Sequence, residues 1–267
     1  MTQSLRLGIH GASGRMGSAL IGLLNGDARF ELVHAVVSPG SVKDEQKVWF
    51  GDDARPLRYM HDWKQARDID VVIDFSGPHG VAAALDYCLV HGTPLVTGTT
   101  GIDARTEARL LKAAESIAVL RAANFSLGVA VLTRLLREAS ATLSDWDIEI
   151  VEAHHGRKQD APSGTALALG NAAATARATT LAAAAVYARE GQTGKRADGS
   201  IGFAVIRGGD IVGEHTAMLI TQGERLELSH RATDRSIFAR GALQAAHWLR
   251  GRAPGLWQLE DVIAGPR

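Results

Sequence analysis

The sequence predicts an α/β fold: a doubly wound parallel sheet in the first half of the chain, then a second domain of α+β type. Three observations carry this expectation. Up to Asn124-Phe125, short apolar runs rich in β-branched residues alternate with helical patterns. Beyond that point, three strand-like runs succeed one another with no helix between them. The chain then turns helical again over Ser236–Leu249. Alternation builds βαβ units with helices on both faces of a parallel sheet, whereas consecutive strands build an antiparallel or mixed one.

In order, strands are expected at Leu5–Ile9, Phe30–Val37, Val71–Phe75, Pro94–Thr97 and Ile117–Leu120. Helical patterns lie around Met16–Leu24, Val81–Val90 and Ala104–Glu115. Segment 38–66 is more charged and less regular. A helix fits Val129–Leu143, where Leu132, Leu135 and Leu136 share one face. The strand Ile148–Ala153 and a helix over 163–176 follow, then strands at Ile201–Ile206, His215–Thr221 and Arg225–His230. Helix propensity accounts for the Ala-rich stretch Ala172–Ala185, and there is no internal repeat.

Composition excludes several classes. A chain of 267 residues with 46% apolar content has room for two modest domains with ordinary cores. Lys+Arg and Asp+Glu balance at 29 each, which argues against electrostatic gripping of nucleic acid. Cys88 is the only cysteine, so neither a disulfide framework nor a thiolate metal cluster is expected. The first strand leaves no room for a signal peptide, and no apolar run approaches the ~20 residues that span a bilayer. A cytoplasmic protein without a membrane partner is expected.

Gly11, Gly14 and Gly17 directly follow the first strand and open the first helix. Such glycines allow a tight turn and a close approach of backbone to a pyrophosphate, which then rests on the helix N-terminus. The spacing is G-x-x-G-x-x-G, not the commoner G-x-G-x-x-G, so position after the strand carries more weight than the pattern. A turn that only packs helix on strand is the alternative. Gly98-Thr99-Thr100-Gly101 and Ala122-Ala123-Asn124-Phe125 follow two further strands. Ligands of open parallel sheets bind outside the carboxyl ends of the strands, so all three loops should share one rim. The second strand would ordinarily end in an acidic residue for the ribose hydroxyls; here it runs Val36-Val37-Ser38-Pro39. Glu31, at the other end of that strand, reads as an exposed charge.

The most specific stretch runs from Glu152 to Leu167. His154, His155 and Lys158 lie on a short loop leading to Ser163-Gly164-Thr165 and an Ala/Leu-rich helix. Ser163 is a good N-cap, and Gly164 and Thr165 place backbone N–H groups in the first turn. A helix start with cationic neighbours attracts a small carboxylate, and a histidine beside it can hand over a proton. The plainer alternative is a polar surface loop with an ordinary cap.

Together, Gly11–Gly17, Asp74-Phe75-Ser76, Gly98–Gly101, Ala122–Phe125, the 152–167 block and Gly209–Thr216 resemble the dihydrodipicolinate reductase family. The resemblance covers nearly the whole chain in order. It implies a Rossmann-like domain over 1–125 plus 235–267, with an inserted substrate and oligomerisation domain over 126–234. It implies NADPH or NADH as coenzyme, bound by Gly11, Ala12, Ser13, Gly14, Arg15, Met16, Ser38, Gly98, Thr99, Thr100, Ala122, Ala123, Asn124 and Phe125. It makes His154 the proton donor and acceptor, and Lys158 a further donor that also binds substrate. His155, Ser163, Gly164 and Thr165 would hold the carboxylates of a small diacid, with Thr100 reaching in from the coenzyme domain. Lysine biosynthesis through diaminopimelate and a homotetramer are further implications. Chemistry agrees with these roles: hydride added to a conjugated imine pushes electrons toward an enamine, which needs a proton from a group titrating near neutrality. Family members commonly carry an acidic residue at the second strand's end, sometimes followed by arginine. Val37 and Ser38 depart from that, so both coenzymes are expected to work, with NADPH equal or modestly favoured; Ser38, Ser41 and Lys43 are the candidate donors to its 2′-phosphate.

No metal site is expected, because adjacent histidines diverge and no third ligand has suitable spacing. Asp74 is read as holding a loop, Arg207, Glu214 and His215 as shaping the second domain, and Trp63, Trp146 and Trp248 as packing. Two other functions compete. One is a different Rossmann oxidoreductase or lyase of a small amino or keto acid; the other is a nucleotide-sensing or scaffold protein without chemistry. A binding-only protein has no use for the proton donors His154 and Lys158.

Overall fold

The computed structural model describes residues 3–50 and 53–264. In chain order its elements are β1 (Leu5–His10), α1 (Arg15–Leu24), β2 (Phe30–Val36), β3 (Lys47–Phe50), β4 (Asp53–Met60), β5 (Val71–Asp74), α2 (Val81–His91), β6 (Leu95–Thr97), α3 (Ala104–Ala113) and β7 (Ala118–Arg121). Then come α4 (Leu127–Thr142), β8 (Asp147–His154), α5 (Gly164–Ala176), α6 (Leu181–Ala184), β9 (Ala185–Val186), β10 (Ile201–Arg207), β11 (Gly213–Thr221) and β12 (Glu224–Ala232). The chain closes with α7 (Ser236–Leu249), β13 (Gly255–Trp257) and α8 (Leu259–Ile263). Two compact units result, Met1–Phe125 with Ser236–Arg267, and Ser126–Arg235. Residues 1, 2, 51, 52 and 265–267 of the first domain anticipated above lie outside the described residues.

The sheet of unit 1 runs β13-β7-β6-β5-β1-β2-β4-β3. Every pairing is parallel except that of β3 with β4. The chain goes out from β1 through β2 and β4, then returns to the other side through β5, β6, β7 and β13. The strand order therefore reverses beside β1, the place where doubly wound sheets open a crevice. The central strands are buried on both faces, which is why β5 reads as an unbroken apolar run closed by Asp74. Leu85, Leu95, Leu110 and Val119 are fully or almost fully buried in one cluster. Burial of each such leucine contributes roughly 2 kcal/mol.

Segment 38–66 holds the antiparallel pair β3 and β4, and β13 is a three-residue strand after Ala253-Pro254. Neither has the alternation that reveals a strand in sequence. The Ala-rich stretch departs from its reading as helix: α5 stops at Ala176, Ala178 takes a left-handed φ of 54°, and Thr180 caps the separate α6.

Unit 2 carries a mixed sheet, β12-β11-β8-β10-β9. β10 runs parallel to β8, while β11 runs antiparallel to both β8 and β12. Leu132 and Leu136 from α4, with Leu169 and Ala173 from α5, cover Ile148, Ile150, Phe203 and Leu219 on one sheet face. That face continues along β8 at every second residue, so Glu152 follows Ile148 and Ile150 into the interior.

Candidate active site

In unit 1 the chain turns sharply after β1. The N–H groups of Gly11 and Ala12 both donate to the Val36 carbonyl, at 2.9 Å each. Gly11 has φ +80°, and a Cβ there would stand 2.5 Å from the Phe75 carbonyl oxygen. A Cβ on Gly17 would stand 2.3 Å from the Gly11 carbonyl oxygen, so α1 lies directly on the turn. Gly14 is the N-cap and supplies no side-chain cap, and the first turn of α1 holds no acidic residue. The positive end of α1 is thus left without a counter-charge of its own, as an anion site requires.

Asp74, fully buried, accepts from the hydroxyls of Ser76 at 2.5 Å and of Thr97 and Thr99 at 2.7 Å each. It therefore pins the loops after β5 and β6, as a loop-holding residue does. The Ala122 N–H donates to the Thr97 carbonyl at 3.2 Å, and Phe125 meets Phe75 edge-on at 5.4 Å. Gly11–Met16, Gly98–Thr100 and Ala122–Phe125 are brought to the carboxyl ends of β1, β6 and β7, on one rim. At the end of β2, Val37 is fully buried and Ser38 exposed. Lys43 Nζ lies 5.6 Å from the centre of the Tyr59 ring, and the neighbouring Asp44 is held by His61 Nδ1 at 2.7 Å.

In unit 2 the cluster is built around a buried carboxylate. Glu152 Oε2 accepts from His154 Nδ1 at 2.6 Å and from Arg207 at 2.7 Å; Oε1 accepts from Arg207 at 2.8 Å and from the Ser163 N–H at 2.9 Å. Burial raises the Glu152 carboxyl, but the hydrogen bonds from Arg207, His154 and Ser163 outweigh it and hold the group below its ordinary range. Ser163 caps α5, its Oγ accepting from the Ala166 N–H at 3.1 Å while lying 2.9 Å from His215 Nε2. The His215 ring meets that of His154 edge-on at 5.2 Å. Burial and then the neighbouring His154 push His215 down to about 4, so it is neutral at physiological pH. Register explains the gathering: β10 sets Arg207 opposite His154, and β11 sets His215 opposite Glu152.

His154 Nε2 faces Gly213, where a Cβ would come within 3.1 Å of it. The Lys158 N–H donates to the His155 carbonyl at 3.1 Å, and its ammonium pairs with Asp160 at 2.9 Å. Arg235 approaches His155 Nε2 at 3.1 Å; burial and the surrounding cations, Arg235 first, lower the His155 pKa. Gly164 and Thr165 open α5. Gly164 has nothing within 4 Å of a built Cβ, so neither packing nor turn geometry demands glycine there. Sequence reasoning singled out His154, His155, Lys158 and the Ser-Gly-Thr cap but gave no site role to Glu152, Arg207 or His215. The available signal was a carboxylate at the core-facing period of β8. Among the described residues, no three His, Cys, Asp or Glu side chains gather as a metal site, and no helix is long and apolar enough to cross a membrane.

Known proteins give a consistent picture. Residues 5–125 match the family description "Dihydrodipicolinate reductase, N-terminus", and residues 128–263 match "Dihydrodipicolinate reductase, C-terminus". A 4-hydroxy-tetrahydrodipicolinate reductase of Thiobacillus denitrificans is 46% identical over 263 residues, covering 97% of this chain and 98% of that protein. The dipicolinate-bound dihydrodipicolinate reductase of Paenisporosarcina sp. TG-14 has a like fold, with TM-score 0.79 and 23% identity over 97% of this chain and 99% of that one. The DAP dehydrogenase of C. glutamicum, in complex with DAP, is more distant at TM-score 0.57 and 14% identity, covering 100% of this chain and 97% of that one.

Proposed function

The chain belongs to the dihydrodipicolinate reductase family, and from that premise we propose how its residues carry out an NAD(P)H-dependent reduction of dihydrodipicolinate to tetrahydrodipicolinate. The observation that carries the reading is the buried carboxylate of Glu152, which joins His154 to the capped start of α5. A proton donor and an anion-binding helix end are thereby held in one rigid piece.

The residues of unit 1 fit a nicotinamide dinucleotide. Gly11 and Gly17 leave no Cβ over the turn, and the uncapped α1 awaits a pyrophosphate. Gly11, Ala12, Ser13, Gly14, Arg15 and Met16 would hold it, with Gly98–Thr100 and Ala122–Phe125 along the rim and Ser38 at the adenosine end. The bound coenzyme supplies the hydride. In unit 2, Gly164 and Thr165 at the positive end of α5, with His155 and Lys158, hold the substrate carboxylates. Lys158 exchanges its Asp160 partner for a carboxylate, and His154 delivers the proton that the electron-rich ring carbon takes up after hydride arrives. NADPH and NADH both serve, with NADPH equal or modestly favoured, because the exposed Ser38 carries no charge to repel a 2′-phosphate.

The chain is further proposed to work in the cytoplasm as a homotetramer. In support, β12 is an edge strand, and the sheet face away from α4 and α5 bears Val151, Met218, Ile220 and the half-exposed Ile206. A stable monomer in light scattering at micromolar concentration would contradict it. For the activity, freshly generated dihydrodipicolinate is supplied with NADPH or NADH and the reduced nicotinamide followed by absorbance. Turnover is expected; coenzyme binding without turnover would favour the non-catalytic alternative.

A further inference from the structure

We infer that Glu152 is a positioning residue that fixes the proton of His154 on Nδ1, so that Nε2 is the nitrogen exchanging protons with the substrate. The inference rests on the reading of His154 as proton donor and deepens it.

A free imidazole shares its proton between two nitrogens, and only one tautomer suits a given geometry. Here Nδ1 has a carboxylate at 2.6 Å, which can only accept, while Nε2 lies beside Gly213, which has no side chain of its own. Glu152 stays ionised because Arg207 grips both its oxygens and the Ser163 N–H adds a third donor. The imidazolium is the form that can donate, and it keeps Glu152 as the partner of its Nδ1–H. When that form acts, the Nε2–H bond breaks and its electron pair stays on Nε2. The proton forms a C–H bond with the substrate carbon, and the Nδ1–H tautomer remains, its hydrogen bond to Glu152 unbroken. The ring need not turn for the next cycle. His215 cannot take the place of Glu152: its Nε2 is engaged with the Ser163 hydroxyl, and it is neutral at working pH.

A merely structural carboxylate would also hold Arg207 and the cap of α5, so the test reads the proton itself. In the whole, unaltered protein labelled with 15N-histidine, long-range 1H–15N correlation reports the tautomer of each neutral ring. His154 is assigned by the signal lost in His154→Gln. The expected result is Nδ1–H; an Nε2–H ring at His154 would overturn the inference, with no variant needing to fold. In Glu152→Gln, kcat should fall about 10- to 100-fold and the neutral His154 ring should no longer hold the Nδ1–H tautomer alone, as loss of an acceptor-only partner requires. Binding of pyridine-2,6-dicarboxylate should stay within about 3-fold, since the carboxylate-binding groups remain. An unchanged tautomer in that variant would reduce Glu152 to a structural role. Failure of the reaction assignment is distinguishable, because it would leave dihydrodipicolinate unreduced while the tautomer could still be read.

Discussion

The glycine turn after β1 in unit 1 and the charged cluster around Glu152 in unit 2 are made from opposite materials. The loop depends on atoms that are missing: at Gly11 and Gly17 a single added carbon would run into backbone. The cluster depends on charged atoms that satisfy one another, with Glu152 taking four hydrogen bonds in the interior. A site of the first kind fails by steric exclusion, whatever the chemistry of the intruding group. One of the second kind fails when a partner is removed and the charge left behind is unpaired.

This contrast can be broken by substitution. Gly17→Val should leave no measurable coenzyme binding while pyridine-2,6-dicarboxylate still binds; retained NADPH affinity in calorimetry would sink the steric account. His154→Gln and Lys158→Ala should do the converse, lowering kcat by at least ~10²-fold while reduced coenzyme binds as before. Wild-type turnover by either would remove that residue from the site. The cluster should also be the more acid-sensitive region. His215 is neutral when folded, with a pKa of about 4 against 6.5 when unfolded, so the unfolded chain takes up the proton first as pH falls. Stability from this group is complete above 6.5 and lost between 6.5 and about 4, on the order of 3 kcal/mol in all. Denaturant titrations across that window should show a shallower pH slope in His215→Gln; an equal slope would assign the acid sensitivity elsewhere.

Two smaller effects sharpen the comparison. Ser38→Asp should shift kcat/KM toward NADH by roughly 10-fold, since a carboxylate binds ribose hydroxyls and repels a 2′-phosphate. Position 38 is chosen because Val37 is fully buried and would have to bury the charge. No shift would mean that the adenosine ribose lies away from the strand end. Asp160→Asn frees Lys158 of its carboxylate and should tighten pyridine-2,6-dicarboxylate binding about 3-fold, a surface-pair effect; weaker binding would show that Asp160 orients the lysine instead.

The long periodic elements were legible because local pattern decides them: α7 begins and ends where its apolar spacing does. The β3–β4 pair and β13 were not, since short strands formed by tertiary pairing carry little pattern of their own. The same divide runs through the site. His154, Lys158 and Ser163 are neighbours in sequence, so their spacing exposed them. Arg207 and His215 reach Glu152 and Ser163 only through strand register, across sequence separations of 55 and 52 residues. A reading along the chain can suspect such partners from their residue type but cannot pair them.

The route of the chain also has a consequence for how the protein is made. Ser126–Arg235 is one uninterrupted stretch, whereas the first sheet receives its edge strand β13, and α1 its packing partner α7, only after Arg235 has been made. On the ribosome the later domain can be finished while the earlier one still waits, reversing the usual N-terminal-first order. A nascent chain stalled once Arg235 has left the exit tunnel should resist brief proteolysis within 126–235 and be cut within β1–β7. Equal protection of both would show that seven strands hold without their closing helix.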